Sequence, residues 1–285
     1  MRMKTGVKPA VVGRFSAAAL LPIAGPAAAH EIAALAEAGS AALAPALFGA
    51  LVLACGWGLY LRGLGRVRAS RAAQAAFHAA MLLTVAAVFG PLDRWAETNS
   101  GLHMVQHMLL IVVVAPLGAF AGPLPQFRAA LPDRWRRVWN ALAACGRRPL
   151  AMAVVHGVAI WLWHAPGPYR LALDNAWWHW LEHASFVASG WLFWWAVLHA
   201  GRERVPQALL ALLSTLIHTG LLGALLSFAR VPLYGEAGLQ NQQLAGLVMW
   251  VPGGGFYLAA GVWLVWRLLA ATPRPREASA PSPGR

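Results

Sequence analysis

Seven long apolar runs separated by short polar connections dominate the chain. They fall at about residues 42–61, 72–92, 102–121, 150–165, 178–199, 207–229 and 245–269. Each is near the roughly 20 residues that an α-helix needs to cross a ~30 Å hydrocarbon layer, the fourth being the shortest. Hydrocarbon offers no water to the backbone N–H and C=O groups, so such segments must satisfy them internally as helices. The pattern therefore predicts an all-α fold, a polytopic membrane helical bundle with seven transmembrane helices. Two spans carry backbone marks. Pro116 should kink the third, and Pro252-Gly253-Gly254-Gly255 should interrupt the seventh, with the glycines by default allowing close helix packing.

The flanking segments set organisation and direction. Residues 1–29 read as a signal peptide: Arg2, Lys4, Lys8 and Arg14 precede the apolar stretch 15–24, and Ala27-Ala28-Ala29 offers a cleavage site before His30. Residues 30–271 then form the transmembrane domain. The tail 272–285, rich in proline and polar residues, is expected to be disordered and cytoplasmic. The connections 62–71, 122–149, 200–206 and 267–285 hold sixteen arginines, whereas the opposite connections hold only Arg94, Arg170 and Arg230. This positive-inside bias puts the N-terminus outside and the C-terminus inside an inner (plasma) membrane. Within 122–149, DRWRRVWNALAACGRR suits a helix lying on the inner leaflet. No repeat long enough for an inverted-repeat transporter is visible.

Composition supports the lipid reading. Hydrophobic residues make up 59% of the 285 and charged residues 12%, about half the charged share of a soluble domain. The net charge of +13 does not indicate nucleic acid, because the basic residues come as short clusters beside apolar runs and form no groove or stacking platform. The two cysteines, Cys55 and Cys145, are far apart, the first inside an expected span and the second in an expected cytoplasmic connection, which disfavours a disulfide or a thiolate metal site. A metal would have to be held by histidine, methionine or carboxylate.

Five of the ten histidines gather at the outer ends of three expected spans. His103 and His107 open the third in GLHMVQHMLL, His164 closes the fourth, and His179 and His183 open the fifth in WWHWLEHASF. Residues at i and i+4 share a helix face, and neutral imidazole is a good ligand for copper and zinc. Met104 and Met108 repeat the spacing beside the first pair. Thioether sulfur favours Cu(I), although methionine more often serves as packing. Asp93 and Glu182 are candidate ligands or acceptors that orient a ring. The competing reading is interfacial anchoring, since histidine and the 15 tryptophans are both at home at the membrane surface.

The inner histidines His78, His156 and His218 lie within spans, the first two about 10–12 Å from the cytoplasmic boundary at 1.5 Å per residue. The default expectation for them is hydrogen bonding across helices; the alternatives are axial haem ligation or a path for copper. The amide-rich connection 234–246 either caps the outer histidines or merely joins two spans. No hydrolase triad or phosphate-binding glycine loop is present, and the chain is expected not to be an enzyme.

HMVQHMLLIVVVAPLGAFAGPLPQ (103–126), HAPGPYRLALDNAWWHWLEHASFVASGWLFWW (164–195) and QNQQLAGLVMWVPGGGFYLAAGVW (240–263) resemble the blocks of the CtaG-like family, the caa3-type cytochrome c oxidase assembly factors. The likeness runs from about residue 43 to 269. It implies a seven-span bacterial membrane protein that helps mature haem-copper oxidases, with an oxidase subunit as partner. By position, the family motif falls on His103, His107, His164, His179 and His183, its proline on Pro116, and its amide and tryptophan pattern on Gln242, Gln243 and Trp250. Copper binding at the outer histidines is the leading expectation; a copper transporter, or a haem-b or quinone redox protein, is the alternative. The topology has a direct test: alkaline phosphatase fused after residue 285 should be inactive, and green fluorescent protein at the same point should fluoresce. Active phosphatase there would reverse the assignment.

Overall fold

The computed structural model describes residues 26–234 and 238–270, with side chains from residue 43 onward. The expected signal peptide lies almost wholly outside the described residues, and the expected tail 272–285 lies entirely outside them. Chain packing divides the molecule at Ala44/Pro45. The first unit contributes only the start of α1 (Pro26–Leu64); everything below concerns the second.

The described residues contain helices and no strand. After α1 come α2 (Arg71–Phe89), the short α3 (Pro91–Ala96), α4 (Ser100–Met108), a widened turn over Leu109–Val114, and α5 (Ala115–Ala121). The arginine-rich connection that follows folds into α6 (Leu124–Ala130), a 3-10 turn and α7 (Arg136–Cys145), and no residue of α7 is buried. Next are α8 (Pro149–His164), α9 (Pro166–Asp174), α10 (Ala176–Leu198), α11 (Val205–Ser227) and α12 (Leu239–Ala270).

Among these, five stretches are long and apolar enough to cross a membrane: Leu43–Leu64, Arg71–Phe89, Ser100–Ala121, Arg202–Ser227 and Leu239–Ala270. The expected fourth span coincides with α8. α8 has only 16 residues and meets α9 at 71°, and counting the pair as one span gives six. The expected fifth span, α10, has 23 residues and so sufficient length at 1.5 Å per residue. α10 is not among the five stretches above, and it carries His179, Glu182 and His183 near its start.

Pro116 explains the widened turn. A proline inside a helix lacks an N–H and crowds the preceding turn. Here the Ala115 N–H bonds to the Leu110 carbonyl, five residues back. In that π register the next carbonyl, that of Ile111, would need the N–H that Pro116 lacks. Trp194 on α10 supplies it, its Nε1–H donating to the Ile111 oxygen at 2.8 Å. The disturbance expected at Pro116 is therefore absorbed within one continuous span of 22 residues, and it pins α10 to the third span.

The expected interruption at Pro252 is not found. α12 runs unbroken for 32 residues with Pro252 inside it, and it begins at Leu239, six residues before the expected start. Its glycines serve packing. A Cβ on Gly246 would lie 2.5 Å from the Gly223 oxygen, and one on Gly253 would lie 2.8 Å from Met108 Sδ, so backbone and side chain approach α12 where only glycine fits. At the other end of α12, Arg267 donates to the carbonyls of Leu198 (3.0 Å) and Ala200 (2.6 Å), a cation placed at the C-terminus of α10.

Replacing Trp194 by Phe should leave the Ile111 carbonyl buried without a donor. The expected loss is about 1–3 kcal/mol, read as a lowered thermal midpoint in detergent. An unchanged midpoint would mean that the indole does not secure the widened turn.

Candidate metal centre

Two asparagine caps fix where the histidine-bearing helices begin. Asn99 accepts from the Leu102 N–H at the start of α4 (3.1 Å), and Asn175 accepts from the N–H groups of Trp177 (2.9 Å) and Trp178 (3.4 Å) at the start of α10. Such caps satisfy amide donors that the first turn leaves over. In each helix the first histidine of the pair stands four residues beyond its cap, so His103 and His179 occupy equivalent positions, with His107 and His183 one turn deeper. The second pair is accompanied by Glu182.

All five sequence-predicted residues come together, and Glu182 joins them. His103, His107, His164, His183 and Glu182 are buried, with Glu182 at 0% exposure, and His179 is half-buried. One ligand-type atom from each of His103, His179, Glu182 and His183 lies within 4.8 Å of the others. The two Nε2 atoms of His103 and His107 are 2.8 Å apart, one donating and the other accepting. Glu182 faces both, at 3.7 Å from His103 Nε2 and 3.6 Å from His107 Nε2. His183 packs edge-on against His107 at 5.4 Å between ring centres, and His164 lies 6.0 Å from His107. His164 is thus at the margin of the group, held by a hydrogen bond between its Nδ1 and the Ile160 carbonyl at 2.7 Å.

The hydrogen-bonding capacity of this group is unspent. His103 Nδ1, His107 Nδ1, the Nε2 atoms of His164, His179 and His183, and both oxygens of Glu182 are buried without a partner. Because one Nε2 of the pair donates and the other accepts, the accepting ring carries its proton on Nδ1, and that N–H has no partner. A carboxylate removed from water without donors is costly, and a bound cation would meet the needs of carboxylate and ring nitrogens together. The donor set of imidazole and carboxylate, without thiolate, fits copper or zinc.

A surrounding layer holds the rings. Gln106, between the two histidines of α4, donates from Nε2 to Asp93 Oδ1 at 2.7 Å and to the Ala87 carbonyl at 2.9 Å. Asp93 therefore acts through Gln106 and is not among the clustered ligand atoms. Burial raises its carboxyl above the usual range, while the Gln106 bond and His103 pull it down. Tyr169 of α9 stacks on His103 at 5.6 Å, and Tyr234 stacks on Tyr169 at 3.9 Å while donating to the His164 carbonyl at 2.9 Å. Burial pushes the Tyr234 hydroxyl above its ordinary range, with Tyr169 and Glu182 adding to the effect, so it stays a donor. The connection expected to cap the histidines does so through Tyr234, and its amides staple the adjoining helices: Gln242 accepts from the Leu233 N–H at 2.7 Å and Gln243 donates to the Ala229 carbonyl at 3.1 Å.

The remaining sequence candidates lie apart. Met104 and Met108 are buried in the main apolar core with Ile111, Phe186 and Met249, the packing role that methionine usually has. The inner histidines bond across helices, as the default expectation held: Trp57 Nε1 donates to His78 (3.0 Å), His156 Nδ1 pairs with Ser189 (2.9 Å), and Trp161 Nε1 donates to His218 (3.3 Å). Gln106, Tyr169 and Tyr234 were not singled out from sequence. Gln106 alone carried a signal, lying inside the paired-histidine segment.

Fold and site together define an all-helical protein of membrane-spanning composition with a buried histidine–carboxylate centre. The chain matches the family described as cytochrome c oxidase caa3 assembly factor (Caa3_CtaG) over residues 58–271, and it belongs to that family. No match was found among curated proteins or among solved structures.

Gln106→Leu should orphan the Ala87 carbonyl and remove the partner of Asp93. A stability loss of about 1–3 kcal/mol is expected, measured by thermal unfolding in detergent, and wild-type stability would show that this bridge does not support the centre.

Proposed function

We propose that this chain is a non-catalytic, seven-span protein of the bacterial inner membrane that binds copper as cargo on the outer side and helps load it into a haem-copper oxidase subunit. The observation carrying the reading is the convergence of five histidines and Glu182 with seven buried, unpartnered polar atoms. Membership of an oxidase assembly family supplies the client class, because copper is a component that such oxidases must acquire. The absence of a usable thiol pair favours a histidine-held ion. The arginine distribution supports seven spans with the N-terminus outside, in which case the cluster faces the compartment where an oxidase copper site is loaded.

His103, His107, His179 and His183, with Glu182, would hold the ion, and His164 would complete the set from the end of α8. Neutral imidazoles bind it reversibly, Glu182 offsets its charge, and the Tyr169–Tyr234 stack limits water. Purified protein should bind about one Cu(I), and the double variant His103→Ala/His107→Ala should abolish binding. Glu182→Gln should weaken it by at least the 10–100-fold typical of losing a supporting group. Metal analysis with a competing chelator reads all three, and unchanged stoichiometry in the double histidine variant would sink the proposal.

A further inference from the structure

Beside the histidine centre, α1, α2, α10 and the widened turn enclose a cavity of about 590 Å³. That volume is within the ~300–1,000 Å³ of small-molecule sites. Its walls combine aromatic rings (Phe48, Trp177, Trp180 and Trp191) with aliphatic residues such as Leu53 and Val187. The shape is built into the helix contacts. A Cβ on Gly49 would collide with the Trp180 ring, so glycine lets that indole lie flat against α1, and Phe48 packs on Trp177 at 5.7 Å. At the margin Phe48, Trp177 and Leu181 are exposed on the apolar surface of the bundle, which opens the cavity toward lipid.

Apart from the indole N–H groups of its three tryptophans, only two polar side chains line it, Thr84 and His183. The Thr84 hydroxyl donates to the Ala80 carbonyl at 2.7 Å, so its donor is spent. His183 is different: it belongs to the metal-type cluster, it is buried, and its Nε2 has no partner. An imidazole has nitrogens on two edges, so one ring can face the cluster and the cavity at once.

We propose that this cavity binds a prenylated quinone or quinol taken from the bilayer, with its oxygenated ring toward His183 and its apolar tail toward the exposed margin. The lining favours this class over the other lipids available. A phospholipid headgroup requires cations or several donors, and the wall has no Lys, Arg, Asn or Gln. A plain acyl chain would leave His183 without a partner and gain little from flat indoles. A quinone ring offers a planar face for stacking and one or two oxygens for a single imidazole. The inference does not depend on copper at the centre.

The test is photolabelling of the purified full-length protein in phosphatidylcholine nanodiscs with an azido-ubiquinone analogue, followed by peptide mapping. Label is expected on the segments containing residues 48–53 or 177–191. An excess of decylubiquinone should suppress it about tenfold, equivalent to one decade of occupancy, whereas added dioleoylphosphatidylcholine should not. Ala188→Trp, which fills the cavity from α10 away from the histidines, should reduce labelling by a similar factor. Label spread over the bundle surface, suppression by phospholipid alone, or full labelling of a folded Ala188→Trp protein would overturn the proposal. Should that variant fail to fold, mapping and competition on the wild-type protein decide the matter. Because no copper is added, failure here is distinct from failure of the copper reading.

Discussion

The Glu182 carboxylate is fully buried among histidines, and the architecture around it follows from that constraint. In a bundle of apolar helices, neither water nor lipid can solvate a carboxylate. The Nε2 atoms of His107 and His103 approach it to 3.6 and 3.7 Å, too far for strong hydrogen bonds. The donor set has the chemistry of a cation site. Burying an unmatched polar cluster costs stability, and a protein retains such a cost where a site depends on it.

The surrounding fold sets the cluster in place. Asn99 and Asn175 set the starts of α4 and α10, so two i,i+4 pairs arrive at one level. Pro116 removes one backbone donor, the widened turn shifts the ladder, and Trp194 fills the remaining gap, which locks the third span to α10 directly beneath the histidines. Glycines at 223, 246 and 253 let α12 close against α11 and Met108. Near the site, Gln106 Nε2, Gln242 and Gln243 find partners, whereas Gln106 Oε1 does not. Seven buried, unpartnered side-chain atoms gather at the centre.

That concentration also gives meaning to the apolar cavity next to it. His183 stands in the wall between a polar centre and a lipid-facing space lined by indoles. The same ring therefore links two environments that otherwise share nothing. α10 carries both, which accounts for its mixture of tryptophan, histidine and glutamate.

The sequence by itself determined the helical class, the positions of most long helices, and the five outer histidines, because helical periodicity and the length of a membrane span are local properties of the chain. It also carried the family through the paired-histidine and glycine-rich blocks. Local pattern failed where the decision was nonlocal. Pro252 looked like a break, but a proline can sit within a long helix that packs along one side. The segments 150–165 and 178–199 read as two ordinary spans, whereas the first is a short helix that meets α9 at 71° and the second buries Glu182 and His183. Only the tertiary structure decided that Glu182 points between His103 and His107, that Asp93 is held off by Gln106, that Met104 and Met108 belong to the core, and that tyrosines from α9 and a distant connection close the site. Each of these depends on which faces of separate helices meet, and that is fixed by packing across the bundle and not by spacing along any one segment.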